Sequence, residues 1–208
     1  MAQFSDLIEG YYRFRGTEWQ EERARWSELA TGQSPKVMII ACSDSRVDPA
    51  TIFGSRPGEV FVVRNVANLV PPYEQDGGRH GVSAAVEFAV TKLKVEEIVV
   101  LGHGACGGVA AALSQALADS SLGEGGFVAR WIDLLDDARE KVVAEHGTGP
   151  EGQRALEQEC VRVSMQNLLT FPFVREQVDA GALAIHGAVF SIDDGRLRVL
   201  EQDKFVGA

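Results

Sequence analysis

The stretch Glu97-Ile98-Val99-Val100-Leu101-Gly102-His103-Gly104-Ala105-Cys106-Gly107-Gly108 decides how this chain folds. Its apolar, mostly β-branched half suits a strand buried on both faces, and the glycines after it mark a tight turn that opens a helix. Three further apolar runs lie outward of it, Val37 to Ala41, Glu59 to Val63 and Leu183 to Phe190, alternating with helical stretches such as Val82 to Leu93. Strands that alternate with helices predict a parallel sheet. The turn Asp193-Asp194-Gly195-Arg196 leads into Leu197-Arg198-Val199-Leu200, which predicts a last strand running antiparallel at the sheet edge. The expected fold is therefore α/β, a mostly parallel central sheet of about four parallel strands plus an antiparallel edge strand, flanked by helices. Asp48-Pro49 reads as the N-cap and first position of a short helix, and Gly107-Gly108 as the head of a helix reaching Leu117. Phe4, Leu7, Ile8, Tyr11 and Tyr12, then Trp19, Arg23, Trp26 and Leu29, recur at helical spacing and predict two N-terminal helices. They form an arm over residues 1–32 that leads into a core at 33–208, the whole being one domain.

The chemistry gathers just past two strand ends, where open α/β sheets bind ligands. Cys42-Ser43-Asp44-Ser45-Arg46 follows the first run, and His103 and Cys106 follow the third. Two thiols and one imidazole suit zinc, whose catalytic sites take three protein ligands and leave the fourth position to water. Sixty residues intervene between Cys42 and His103, so a fold must assemble the site. Read singly, Cys42 is a buried thiol and the glycine turn a phosphate cradle lacking the lysine of GxxxxGK[ST]; read together they make a metal site. Asp44 admits three readings: a fourth ligand, an acceptor beside the metal, or a turn cap. A bidentate pair with Arg46 would hold it off the metal and keep it ionised.

Composition bounds the rest. With 208 residues, 45% of them hydrophobic, the chain can bury a sizeable core. A formal charge of -10 with no cluster of Lys and Arg argues against a nucleic-acid partner. Neither a basic leader nor an apolar run of membrane length occurs, so the expectation is no membrane association and a cytoplasmic location. Three cysteines do not suggest a disulfide framework, and Cys160 reads as a buried thiol without a role. His80, His146 and His186 read as surface or structural residues.

CSDSR at 42–46 and the glycine-rich His103-x-x-Cys106, with Gly32-Gln33-Ser34-Pro35-Lys36 and Arg64-Asn65-Val66-Ala67-Asn68 between and before them, resemble the β-class carbonic anhydrases in order and spacing over roughly residues 30 to 115. The resemblance implies a zinc lyase that reversibly hydrates carbon dioxide to bicarbonate and a proton, by attack of hydroxide formed on the metal. It implies one zinc per subunit on Cys42, His103 and Cys106, with Asp44 and Arg46 as a catalytic dyad and Asp44 a possible fourth ligand in a closed, inactive state. In the plant-like branch, Gln33 falls where a glutamine hydrogen-bonds substrate, and Phe61, Val66 and Phe88 fall at pocket-wall positions. Phe88 departs from the tyrosine common there. A homodimer or a larger homo-oligomer built from dimers is implied, with the N-terminal helices embracing a second subunit. A bicarbonate-regulated subgroup carries tryptophan where this chain has Ile39, so the open form is expected although Arg64 is kept. Two thiolates offset the charge of zinc, so activity is expected to rise toward alkaline pH. Two competing readings are hydration of carbon disulfide or carbonyl sulfide on the same scaffold, and a non-catalytic zinc domain closed by Asp44.

Overall fold

The computed structural model describes residues 3–76 and 78–208, and the chain divides into two compact units, residues 1–34 and 35–208. The first unit holds three helices where two were expected: α1 (Phe4–Gly16), α2 (Glu18–Glu21) and α3 (Arg23–Leu29). The break after α1 falls at Thr17, whose φ of -119° and ψ of -91° leave the helical region. Asp6 accepts the Gln3 N–H at 2.7 Å and so satisfies one of the amides that open α1. Phe14 and Trp26 meet edge to face at 5.7 Å, while Phe4, Leu7, Tyr11 and Tyr12 are exposed.

The second unit runs β1 (Val37–Cys42), α4 (Pro49–Phe53), β2 (Val60–Asn65), α5 (Gly81–Glu87), β3 (Glu97–His103), α6 (Gly107–Ser114), α7 (Gly126–Ile132), α8 (Asp136–His146), α9 (Pro150–Leu168), α10 (Pro172–Asp179), β4 (Ala184–Phe190), β5 (Leu197–Glu201) and β6 (Lys204–Gly207). The sheet order is β2-β1-β3-β4-β5-β6, with the first four strands parallel and the last two antiparallel. The expected parallel core is present, but the strand at 197–201 is internal, because β6 folds back along it. Gln202 and Asp203, at φ 44° and 68°, make that tight turn without a glycine. Residues Phe88–Leu93 continue α5 as a π-helical stretch. The helix expected to reach Leu117 ends at Ser114, where Gln115 turns left-handed at φ 54°.

Alternation along the strands loads both faces of the sheet. Met38, Ile40, Ile98 and Val100 pack with Val86 and Val90 of α5 and its π-helical continuation, Val161 and Leu168 of α9 and Val174 of α10. Ile39, Ala41, Leu101 and Ala188 line the opposite face. Asp48 accepts the Thr51 N–H at 3.0 Å and Pro49 takes the first helical position, so α4 starts where its sequence says it should. Helix α9 presses against β3 so closely that a Cβ on Gly102 would lie 2.7 Å from Val161. No helix among the described residues is long and apolar enough to cross a membrane.

Phe171, 1% exposed, meets the Tyr73 ring at 5.5 Å and the Phe173 ring at 5.6 Å. Truncating a buried aromatic costs its transfer energy and leaves a cavity, so Phe171→Ala should destabilise the fold by about 3–5 kcal/mol. Urea unfolding at fixed metal content measures this, and an unchanged midpoint would contradict its place in the core.

Candidate metal centre

Cys42 ends β1 and His103 ends β3, two parallel neighbours in the sheet, so both side chains leave the same strand edge. Cys106 follows three residues later as the N-cap of α6, after Ala105 turns left-handed at φ 54°. The three are buried, and their ligand atoms all lie within 4.8 Å of one another. The two sulfurs are 3.9 Å apart. That spacing is too wide for a disulfide, near 2.05 Å, but two sulfurs about 2.3 Å from a tetrahedral ion lie about 3.8 Å apart.

The electrostatics ask for a cation. Hydrogen bonding from Cys106 pulls the Cys42 thiol well below the ordinary thiol range, against the cost of burial and with smaller help from His103 and the amides of Asp44 and Ala67. The same shared proton, together with burial, pushes Cys106 up. The pair therefore keeps one proton between two sulfurs until a positive ion displaces it. His103 Nδ1 donates to the Gly104 carbonyl at 2.9 Å, which leaves Nε2 with its lone pair directed inward. That Nε2 is buried without a hydrogen-bond partner. Burial works against a proton there, while Cys42, and to a lesser degree the Gly104 carbonyl and Asp44, raise the imidazole pKa when no cation is bound. An orphaned buried nitrogen facing two sulfurs is the donor set of a soft or borderline dication, and zinc fits it.

Asp44 stands beside this cluster and is held away from it. Arg46 donates from Nε to Oδ1 at 2.9 Å and from Nη2 to Oδ2 at 2.6 Å, and its backbone N–H reaches Oδ1 at 3.0 Å. These bonds hold the Asp44 carboxyl well below the usual carboxylate range. Oδ2 lies 3.9 Å from His103 Nε2. Arg46 Nη2 also donates to the Ala105 carbonyl at 3.0 Å, tying the two ligand loops together. Arg64 knots the first loop from below, donating to the carbonyls of Cys42 (2.9 Å), Asp44 (2.7 Å) and Val47 (3.1 Å) and to Asp48 (3.2 Å).

A third layer was not foreseen. After β2 the chain makes consecutive left-handed turns at Ala67 (φ 63°) and Asn68 (φ 48°), conformations that cost non-glycine residues about 1–3 kcal/mol each. A Cβ on Gly108 would sit 2.8 Å from Val66 Cγ1 and 3.1 Å from Ala67 Cβ, so α6 touches this turn only because it carries glycine there. Helix α9 supplies the other side. Glu157 Oε1 accepts the Cys106 N–H at 3.0 Å, and Gln153 Nε2 donates to Glu157 at 2.7 Å and to the Cys106 carbonyl at 3.2 Å. Cys160, read as a thiol without a role, donates to the Ala67 carbonyl at 2.9 Å. The signal in the sequence was a polar stripe, Gln153, Glu157, Cys160, Ser164 and Asn167, recurring every three or four residues on an otherwise amphipathic helix. The glycines of Gly102-x-Gly104-x-x-Gly107 also have dinucleotide-loop spacing, but a buried carboxylate already occupies the Cys106 amide that a phosphate would need.

The other candidate residues stand on other segments of the chain. Gln33 belongs to the first unit, in the coil after α3. Phe61 pairs in register with Met38, four residues before Cys42, and its ring meets that of Phe88 at 5.9 Å. Val66 lines an apolar groove of about 370 Å³ with Phe127, Val128 and Trp131, and its carbonyl accepts the Trp131 Nε1–H at 2.7 Å. His80, His146 and His186 face Asp76, Glu151 and Glu97 respectively.

A family model described as "Carbonic anhydrase" matches residues 37–197. "Beta carbonic anhydrase 6, mitochondrial" of Arabidopsis thaliana is 38% identical over 187 residues, which are 88% of this chain and 63% of that relative's length. This chain thus spans less than two thirds of it. Among solved structures, the β-carbonic anhydrase CcaA superposes with a TM-score of 0.92 at 30% identity over 100% of both chains. One of two tetrameric β-carbonic anhydrases of the filamentous ascomycete Sordaria macrospora gives 0.79 at 32% identity, over 99% of this chain and 98% of that one.

Proposed function

The chain belongs to the carbonic anhydrase family, within its β class, and we propose on that footing that it reversibly hydrates carbon dioxide to bicarbonate at a zinc ion held by Cys42, His103 and Cys106. The observation that carries this reading is the buried, unpartnered His103 Nε2 facing two sulfurs 3.9 Å apart. Zinc, when bound, supplies a Lewis acid that makes water nucleophilic near neutral pH. The chain's own residues do the rest. Two thiolates and a neutral imidazole anchor the ion and leave room for one more donor. Asp44, already accepting three hydrogen bonds from Arg46, keeps a free lone pair on Oδ2. An ionised carboxylate can only accept a hydrogen bond, so it selects the protonated oxygen of bicarbonate and orients it. Buried apolar neighbours such as Val47, Leu69 and Val109 keep bulk water away from the ligands.

The same dyad supports an open fourth position, since a carboxylate engaged by a guanidinium does not also ligate the ion. Gln33 is proposed as a substrate contact, on its sequence position alone. A homo-oligomer is proposed as the working form, supported by the exposed apolar face of α1 and by the tetrameric relatives. Phe61, Val66 and Phe88 join a pocket wall in this reading only where a second copy completes it.

Stopped-flow hydration of CO2 alongside metal analysis tests the proposal. Arg46 keeps Asp44 ionised from mildly acid to alkaline pH, so Asp44 contributes no rate change across neutrality. The expected profile rises toward alkaline pH from the metal centre alone. A zinc-loaded protein with no hydration above background at any pH would refute the reading.

A further inference from the structure

The peptide that joins Ala105 to Cys106 is held at both ends by side chains from distant parts of the chain. Its carbonyl, on Ala105, accepts from Arg46 Nη2 at 3.0 Å. Its N–H, on Cys106, donates to Glu157 Oε1 of α9 at 3.0 Å. In a trans peptide these two groups point in opposite directions, so Arg46 and Glu157 grip the plane from opposite sides and oppose its rotation. The grip falls where the backbone is strained. Ala105 is left-handed at φ 54°, a conformation that residues other than glycine keep only when their surroundings impose it. One residue earlier, the Gly104 N–H donates to the Phe190 carbonyl at 2.9 Å and ties the same loop to β4.

Cys106 is fixed through its backbone while its sulfur is left to the site. Its carbonyl accepts the Ala110 N–H at 2.9 Å and Gln153 Nε2 at 3.2 Å, and Gln153 Nε2 also donates to Glu157 Oε1 at 2.7 Å. The side chain makes no capping bond to α6, and Sγ faces Cys42 Sγ at 3.9 Å. Helix α9 is pressed against β3 at this very turn, since a Cβ on Gly102 would lie 3.6 Å from the Glu157 carbonyl. Glu157 is 4% exposed, and among the described residues its partners are the two amides of Cys106 and Gln153, with no cation paired to it. An acidic side chain buried in this way costs the fold free energy that an apolar residue of similar size would not. Packing of α9 therefore does not account for Glu157, whereas the Cys106 amide does.

We propose that Glu157 is a positioning residue for the metal centre: opposite Arg46 and steadied by Gln153, it holds the Ala105–Cys106 peptide so that the Cys106 sulfur faces the point that Cys42 and His103 also face. This role rests on the zinc reading given above. The three ligand atoms lie within 4.8 Å of one another with no ion to gather them, so the cage is preformed and its preformation depends on this grip. Because both residues hold one peptide, a loosened Glu157 also weakens the hold of Arg46 on the second ligand loop.

Full-length Glu157→Leu, Glu157→Gln and Gln153→Ala, compared with the parent, test this. Zinc affinity is read by competition with a chromogenic chelator, and the sulfur environment by the thiolate-to-metal charge-transfer band of the cobalt(II)-substituted protein. Glu157→Leu fills the same space without an acceptor and should weaken zinc binding roughly tenfold and shift the band. Glu157→Gln keeps an oxygen that can accept from both Cys106 and Gln153, so it should stay within about threefold of the parent. Gln153→Ala frees the Cys106 carbonyl and should lose roughly threefold with a smaller shift of the band. A structural role alone would lower the melting temperature of Glu157→Leu and leave its affinity and band unmoved, which would overturn the proposal. Equal losses in Glu157→Leu and Glu157→Gln would overturn it too, because the charge and not the hydrogen bond would then be acting. If Glu157→Leu does not fold, Gln153→Ala decides by the same two measurements, and parental values there count against the proposal. A parent that binds no zinc would instead defeat the metal reading itself, and this role with it.

Discussion

Cys106→Ser is expected to strip the protein of zinc and, with it, of CO2 hydration above the uncatalysed rate. A serine hydroxyl does not ionise at working pH and is a poor ligand for zinc, so one of three protein donors is lost outright. Zinc held by a full set of ligands is bound by about 10–16 kcal/mol, or about 3–4 kcal/mol for each ligand, so one loss weakens affinity about 10²–10³-fold. Zinc content after dialysis against a chelator measures the first effect and stopped-flow hydration the second. One equivalent of zinc retained at parental affinity would mean that Cys106 is not a ligand.

Arg46→Ala should do the opposite to the metal and the same to the reaction. Zinc content stays at the parental level, yet hydration falls by at least about 100-fold. Arg46 supplies every side-chain bond that turns Asp44 aside, at 2.9 Å and 2.6 Å. Freed of it, the carboxylate has a hard oxygen near His103 Nε2, now 3.9 Å away, and a short rotation brings that oxygen onto the ion as a fourth ligand. Arg46→Lys, with one point charge in place of a planar fork, should recover only part of the loss. The pH dependence of folding changes as well. Asp44 has its pKa depressed in the folded state, so the stability it contributes is present above the ordinary carboxylate range and lost as pH falls through the lowered value. In the metal-free variant, where only the backbone N–H bond to Asp44 remains, that contribution shrinks at neutral pH and the decline in acid is shallower. Parental turnover in Arg46→Ala would remove the dyad from the mechanism.

The grouping of Cys42, His103 and Cys106 could be read in the sequence because thiol and imidazole are scarce, and because both segments close apolar runs whose strand character is hard to mistake. Asp48-Pro49 was equally plain, since a cap and a fixed φ act locally. What escaped notice depends on distant partners. Glu157 looks like any glutamate on a helix until folding brings it 3.0 Å from the Cys106 amide. Cys160 gives no hint that Ala67, 93 residues earlier, will offer it a carbonyl. The strand at 204–207 stayed hidden because Gln202 and Asp203 make its turn without the glycine that marks the one at Gly195. Phe61 and Phe88 were read as pocket walls from position alone; the register sets Phe61 opposite Met38, and its ring meets that of Phe88 at 5.9 Å.

The placement of α9 also bears on when the ion is taken up during synthesis. A nascent chain has made Cys42, His103 and Cys106 once residue 106 is complete, but the helix that braces their loops spans Pro150–Leu168 and β4 follows at Ala184–Phe190. Parallel strands so far apart along the chain pair late, because each closure spends entropy before any contact repays it. On the zinc reading the two thiols, open to oxidation, and the imidazole therefore leave the ribosome loose, and at about 5–20 residues per second they wait several seconds for their brace. Metal supply and translation speed thus act on the same interval, and a chain stalled within it has every ligand but no centre.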